Sequence, residues 1–155
     1  MSVRLLKNVS LETAKIELSR IMHEGYTSIA VRRLTEESIY NRKDTIGAVF
    51  DFVRNTFPYA EDPISAELFI HPNRVAEDYF SGRIRAGDCD DHALLTASML
   101  GSIGYKTRIL LVGKGFDVDH ALAEVLTSTG WVSVDTTSSQ PLGWFHKYSQ
   151  EVVVN

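Results

Sequence analysis

A helix that is apolar around its whole circumference has no face to offer to water, so other elements must cover it. One stretch of this 155-residue chain reads that way. From Cys89 the sequence runs into Ala93, Leu94, Leu95, Ala97, Met99, Leu100 and Ile103, and Gly104 follows as a C-terminal stop. The run opens with Gly87-Asp88-Cys89-Asp90-Asp91-His92. Cys89, the single cysteine, therefore lies at or within one residue of a helix N-terminus. Unpaired backbone N–H groups and the helix dipole favour negative charge there, which predicts a thiolate that forms easily. Asp88, Asp90 and Asp91 act in the opposite sense, except where Asp88 or Asp90 turns its charge on the backbone as a cap.

Before this run the apolar residues recur at helical spacing. Residues 10–24 give an amphipathic helix with Ser10 as cap, Leu11, Ala14, Leu18 and Ile21 on one side, and Gly25 as its end. Residues 27–40 suggest a short helix around Ile29, Ala30 and Leu34. Asp44 then caps a stripe of Ile46, Val49, Phe50, Val53 and Phe57, read as core packing, and Pro58 stops it. Residues 59–70 read as an irregular connection with a turn at Asp62-Pro63 and a short strand at Leu68-Phe69-Ile70. Pro72 suits the first turn of a short helix with Val75, Ala76, Tyr79 and Phe80 inward and Gly82 beyond it.

After Gly104 the period changes to that of strands. Residues 107–112 form a β-branched and leucine run closed by Gly113-Lys114-Gly115, and residues 120–126 and 131–135 alternate on either side of a loop at 127–130. Trp144, Phe145 and Val152-Val153-Val154 indicate one more strand or a packing tail. Helices first and an antiparallel sheet second is the α+β pattern in a single domain over residues 1–155. Within it we distinguish an N-terminal helical segment (1–43), a core (44–140) and a C-terminal tail or strand (141–155).

Composition narrows the function classes. A net charge of −4 gives no electrostatic reason for nucleic-acid binding. One cysteine cannot form an internal disulfide, the N-terminus has no apolar stretch of signal-peptide length, and no segment approaches the roughly 20 apolar residues needed to cross a bilayer. A cytoplasmic or phage-associated protein without a secretion signal is the expectation.

Strand parity connects three residues. Along a strand alternate side chains share a face, so His120, Leu122, Glu124 and Leu126 lie together, as do Trp131, Ser133 and Asp135. With 127–130 as the loop, Leu126 pairs with Trp131 and Leu122 with Asp135, which sets His120 diagonal to Asp135 at about 7–8 Å by backbone. If the face carrying them packs near the start of the cysteine helix, Cys89 is a nucleophile, His120 its base and Asp135 the group that orients the base. The Cys89 N–H is one oxyanion donor, and Tyr59 or Trp144 is the candidate for a second. A metal site of Cys89, His92 and His120 is a rival, poor in the cysteines that structural zinc prefers. His92 is expected beside the cysteine helix or in solvent, His23, His71 and His146 on the surface, and Glu124 as an exposed strand carboxylate, although it could shape the site.

Gly87-Asp88-Cys89-Asp90-Asp91-His92-Ala93, Gly104-Tyr105-Lys106-Thr107-Arg108, His120-Ala121-Leu122-Ala123-Glu124-Val125 and Gly130-Trp131-Val132-Ser133-Val134-Asp135-Thr136 together resemble the transglutaminase-like core over residues 44–140. Among its members the chain is most similar to small bacterial and bacteriophage transglutaminase-like proteins. The resemblance implies a papain-like α+β fold with the cysteine on a central helix packed on an antiparallel sheet. It also implies a Cys89–His120–Asp135 triad and action on an amide or peptide bond of a protein or peptide through a thioester. The family often has tryptophan two residues after the histidine, where this chain has Leu122. Some members have lost activity, which leaves a silent structural or protein-binding module as the alternative. The chain is too short for the extra β-domains of animal transglutaminases, which points away from a calcium-dependent crosslinking enzyme. Hydrolysis is favoured over crosslinking, with no metal or cofactor and no membrane or nucleic-acid partner.

Overall fold

The apolar run after Cys89 folds as a helix without an exposed face: every residue from Cys89 to Leu100 is buried. The structure is a computed structural model that describes residues 2–3, 9–61, 69–114 and 117–155. In chain order its elements are β1 (Ser2–Val3), α1 (Leu11–Tyr26), α2 (Ile29–Ile39), α3 (Thr45–Thr56), α4 (Pro72–Phe80), α5 (Cys89–Ser102), β2 (Thr107–Gly113), β3 (Asp117–Val118), β4 (His120–Thr127), β5 (Gly130–Val134) and β6 (Gln150–Val154). The arrangement is α+β, and its larger sheet has the order β5-β4-β2-β6 with every pairing antiparallel.

Most helix boundaries follow from capping chemistry. Ser10, Ser28 and Asp44 each accept a hydrogen bond from the backbone N–H three residues on, which satisfies one of the donors a helix start leaves unpaired. Pro72 opens α4, where a missing N–H is harmless. Gly104 follows α5 with φ +103°, a conformation that glycine adopts at no steric cost. Gly25 departs from its expected role. It lies inside α1, which continues to Tyr26, because the helix needs its small size rather than its flexibility. A Cβ at Gly25 would stand 2.3 Å from Ser98 Oγ on α5. Phe69 and Ile70 are not in a strand, while Asp62-Pro63, Leu68 and Gly115 lie outside the described residues.

Helix α5 serves both halves of the core. Leu94 and Ala97 pack with Leu18 and Met22 of α1 and with Ile109, Leu111, Ala121 and Ala123 of the sheet. Leu95, Met99 and Leu100 pack with Leu34, Val49, Val53 and Val75 of α2, α3 and α4, and with Val125 and Val134. Each fully buried aliphatic side chain of this size contributes about 1.5–3 kcal/mol relative to exposure. On the opposite face of the sheet Leu110, Val112 and Leu122 pack beneath Tyr148. The 144–148 segment lies between β5 and β6, and β6 completes the sheet by pairing with β2. Among the described residues no helix is long and apolar enough to cross a membrane.

Gly25→Ala should lower stability by about 1–3 kcal/mol through overpacking against Ser98. Urea denaturation checks this. A change within 0.3 kcal/mol would mean that the two helices adjust freely.

Candidate active site

Helix α5 begins in the protein interior, and its first turn is closed by a reciprocal cap. The Asp88 carboxylate accepts from the Asp91 N–H at 3.4 Å, and the Asp91 carboxylate accepts from the Asp88 N–H at 3.1 Å. The second oxygen of Asp91 accepts from the Ile70 N–H at 2.8 Å, which fixes the chain entering α4 against the start of α5. Asp88 is thus the cap that the Gly-Asp-Cys order suggests. Cys89 follows it as the first helical residue.

The thiol is 3 % exposed. Burial is the main influence on it and, with the nearby charges of Asp88 and Asp135, pushes the Cys89 pKa up to about 12. The backbone N–H groups of Ala121 and of Cys89 itself are aimed at the sulfur and oppose that rise without overcoming it. The expectation of an easily formed thiolate is therefore corrected: desolvation and two carboxylates outweigh the helix N-terminus, and the resting thiol is protonated.

The hairpin has the expected register. Leu126 pairs with Trp131 and Ala123 with Val134, so Asp135 stands one step beyond the ladder, opposite Leu122. His120 Nε2 and Asp135 Oδ2 are 2.7 Å apart, which joins the predicted pair directly. Burial pushes the Asp135 pKa up, but the bond to His120, the charge of His120 and two donors from Thr137 prevail and hold it below its usual value of 3.8. The Thr137 N–H and hydroxyl bind Asp135 Oδ1 at 3.1 and 2.8 Å. Asp135 also fixes the backbone, since the Arg54 guanidinium donates to its carbonyl oxygen.

The placement of the faces differs from expectation. The residues of β4 that meet α5 are Ala121, Ala123 and Val125, whereas Leu122 lies on the outer face. By alternation His120 shares the outer face, and it belongs to the site because it is the first residue of β4, at the end of the sheet. Cys89 approaches the same end from the helix side through the Ala121 N–H. Asp135 engages the ring through Nε2.

Several neighbouring residues have other roles than expected. His92 is buried, with Nδ1 2.8 Å from Thr136 Oγ1. Burial lowers its pKa, against the carbonyl of Pro58 and the charge of Asp135. The metal set Cys89, His92 and His120 does not assemble. Among the described residues the single group of this kind is Asp88, Asp90 and Asp91, and one oxygen of each accepts from a backbone N–H of the first turn. Glu124 is not exposed: it is buried and paired with Arg108 at 2.7 Å, and Arg108 lies 3.9 Å above the Trp131 ring. His71 caps α4 and meets Glu24 at 2.8 Å, whereas His23 and His146 are on the surface. Trp144 is exposed and stacks on His146, and Tyr59 sits with its ring 6.5 Å from that of His92. The role of Thr137 had a signal in the sequence, because Asp-x-Thr after a strand is an Asx-turn pattern.

With the site described, comparison with known proteins decides the family. The model of the transglutaminase-like superfamily core matches residues 30–136. The chain belongs to the transglutaminase-like superfamily. The match begins earlier than the sequence motifs indicated, inside α2, and ends one residue after Asp135. Two solved structures share this papain-like, transglutaminase-like fold. A candidate cysteine protease from Cytophaga hutchinsonii is 21 % identical with a TM-score of 0.52, over 71 % of this chain and 37 % of its own. A candidate protease from Parabacteroides distasonis is 13 % identical with a TM-score of 0.58, over 82 % of this chain and 26 % of its own. The chain thus spans little more than a third of the first solved protein and about a quarter of the second. None of the curated proteins compared with it matches.

Because the folded Asp135 holds its proton less tightly than the unfolded residue, its contribution to stability is fully present above the ordinary carboxyl value. It is lost as pH falls through the lower, folded value. The stability difference between wild type and Asp135→Ala should therefore be largest above about pH 5 and shrink below about pH 4. Urea denaturation at stepped pH tests this, and a difference independent of pH would contradict it.

Proposed function

We propose that this chain is a cysteine-dependent enzyme that acts on an amide or peptide bond. The observation that supports it most is the 2.7 Å bond between His120 and Asp135 at the end of the sheet where the Ala121 N–H meets the Cys89 sulfur. Asp135 holds the imidazole by Nε2 and stabilises its positive charge, which leaves Nδ1 as the proton acceptor. The protonated resting thiol calls for general-base attack rather than a preformed ion pair. As Cys89 Sγ bonds to the substrate carbonyl carbon, the thiol proton passes to His120, and the carbonyl electron pair moves to oxygen. The Cys89 N–H is one donor to that oxyanion. The oxyanion then collapses, the C–N bond breaks, and His120 returns the proton to the leaving amine. Water or an amine next attacks the resulting thioester and gives its proton to His120. Release of the acyl product returns the proton to sulfur.

The name given to the Cytophaga protein agrees with this reading. The near-complete burial of Cys89 favours a second one, a module that keeps the fold for binding and leaves the thiol unused. Incubation with an activated acyl ester followed by intact-mass measurement separates them. The enzyme reading expects one acyl group on Cys89, none on Cys89→Ala, and acylation slower by about 10²–10⁴-fold in His120→Ala. Folded wild-type protein that takes up no acyl group would support the binding module.

A further inference from the structure

We infer that His92 and Thr136 are positioning residues of this site, a deepening that rests on the cysteine-enzyme reading above. The two residues close a circuit. Cys89 and His92 are one turn apart on α5, so their side chains lie on one face of the helix. His92 Nδ1 bonds Thr136 Oγ1 at 2.8 Å, and both residues are buried. Thr136 is joined by one peptide bond to Asp135, which bonds His120 at 2.7 Å. His120 is joined by one peptide bond to Ala121, and the Ala121 N–H returns to the Cys89 sulfur. The nucleophile's helix and the base's strand thus meet through a ring of short covalent and hydrogen-bonded links, and the His92–Thr136 bond is the link between α5 and the carboxylate side.

Two observations separate this bond from ordinary packing. His92 Nε2 is buried with the Pro58 carbonyl as the group acting on the ring, so Nδ1 is the ring nitrogen that ties α5 to a side chain of another element. Asp135 lies just beyond the last paired residue of β5, where Thr137 holds its carboxylate, Arg54 holds its carbonyl, and the adjoining Thr136 is the residue tied to α5. The other groups at the circuit are accounted for. The charges of Asp88 and Asp135 act on the thiol, those of Asp135 and Asp119 act on Tyr148, and Arg54 holds the Asp135 carbonyl. None of them links α5 to the carboxylate as His92 does.

The test is the pH profile of Cys89 alkylation by iodoacetamide in the full chain. Thr136→Val removes the hydroxyl at constant shape. It should slow alkylation about tenfold near neutral pH, where the reaction depends on a well-placed His120, and converge with wild type in alkali. Thr136→Ser keeps the hydroxyl and should keep the wild-type profile. His92→Phe should act like Thr136→Val, and His92→Asn, which keeps a polar atom at the δ position, should recover part of the loss. Superimposable profiles for Thr136→Val and wild type would overturn the inference, as would equal slowing at every pH. Failure of both Thr136→Val and His92→Phe to fold would also overturn it, because the bond would then be a structural tie. Absence of ester acylation in wild type would instead defeat the enzyme reading itself, so the two failures are distinguishable.

Discussion

The reciprocal hydrogen bonds between Asp88 and Asp91 allow a helix to begin inside the protein. A buried helix start leaves backbone N–H groups that water cannot reach, and each one left unpaired costs about 1–3 kcal/mol. The two carboxylates satisfy donors at both ends of the first turn, and Asp91 extends the arrangement to Ile70. That cap fixes the height at which Cys89 meets the sheet. It also sets the electrostatic character of the site, because the Asp88 charge joins burial in keeping the thiol protonated. The same residue that makes the helix start possible therefore argues against a resting thiolate.

The second organising feature is the end of the sheet. β4 presents alanines to the helix at Ala121 and Ala123, which lets α5 lie close enough for the Ala121 N–H to reach sulfur. Its first residue, His120, lies on the other face and meets Asp135 just past β5. Two faces of one sheet thus carry the residues of the proposed site, at the end where the strands stop. The segment carrying Tyr148 covers the outer face beside this pair and keeps Leu110, Val112 and Leu122 from water.

Much of this was legible in the sequence, for identifiable reasons. The circumferential apolarity after Cys89 gave a buried helix, and the even loop at 127–130 gave the register that joins His120 to Asp135. What escaped was set by neighbours remote in sequence. Gly25 read as a helix end, but its smallness is used against Ser98. Glu124 read as exposed because Arg108, its partner, is on another strand, and His92 gave no sign of Thr136, which is 44 residues away. The thiol's protonation was misjudged because a helix N-terminus is a local feature and desolvation is a property of the whole packing.

The central claim is that His120 activates a thiol which is otherwise too well buried to ionise. Intact-mass measurement of Cys89 alkylation in wild type and His120→Ala between pH 5 and 10 tests it most directly. The account predicts that the wild-type rate rises well before the strongly alkaline range in which the buried thiol would ionise unaided. His120→Ala should lack that rise and react only as the solution becomes strongly alkaline. Identical profiles for the two proteins would contradict the account.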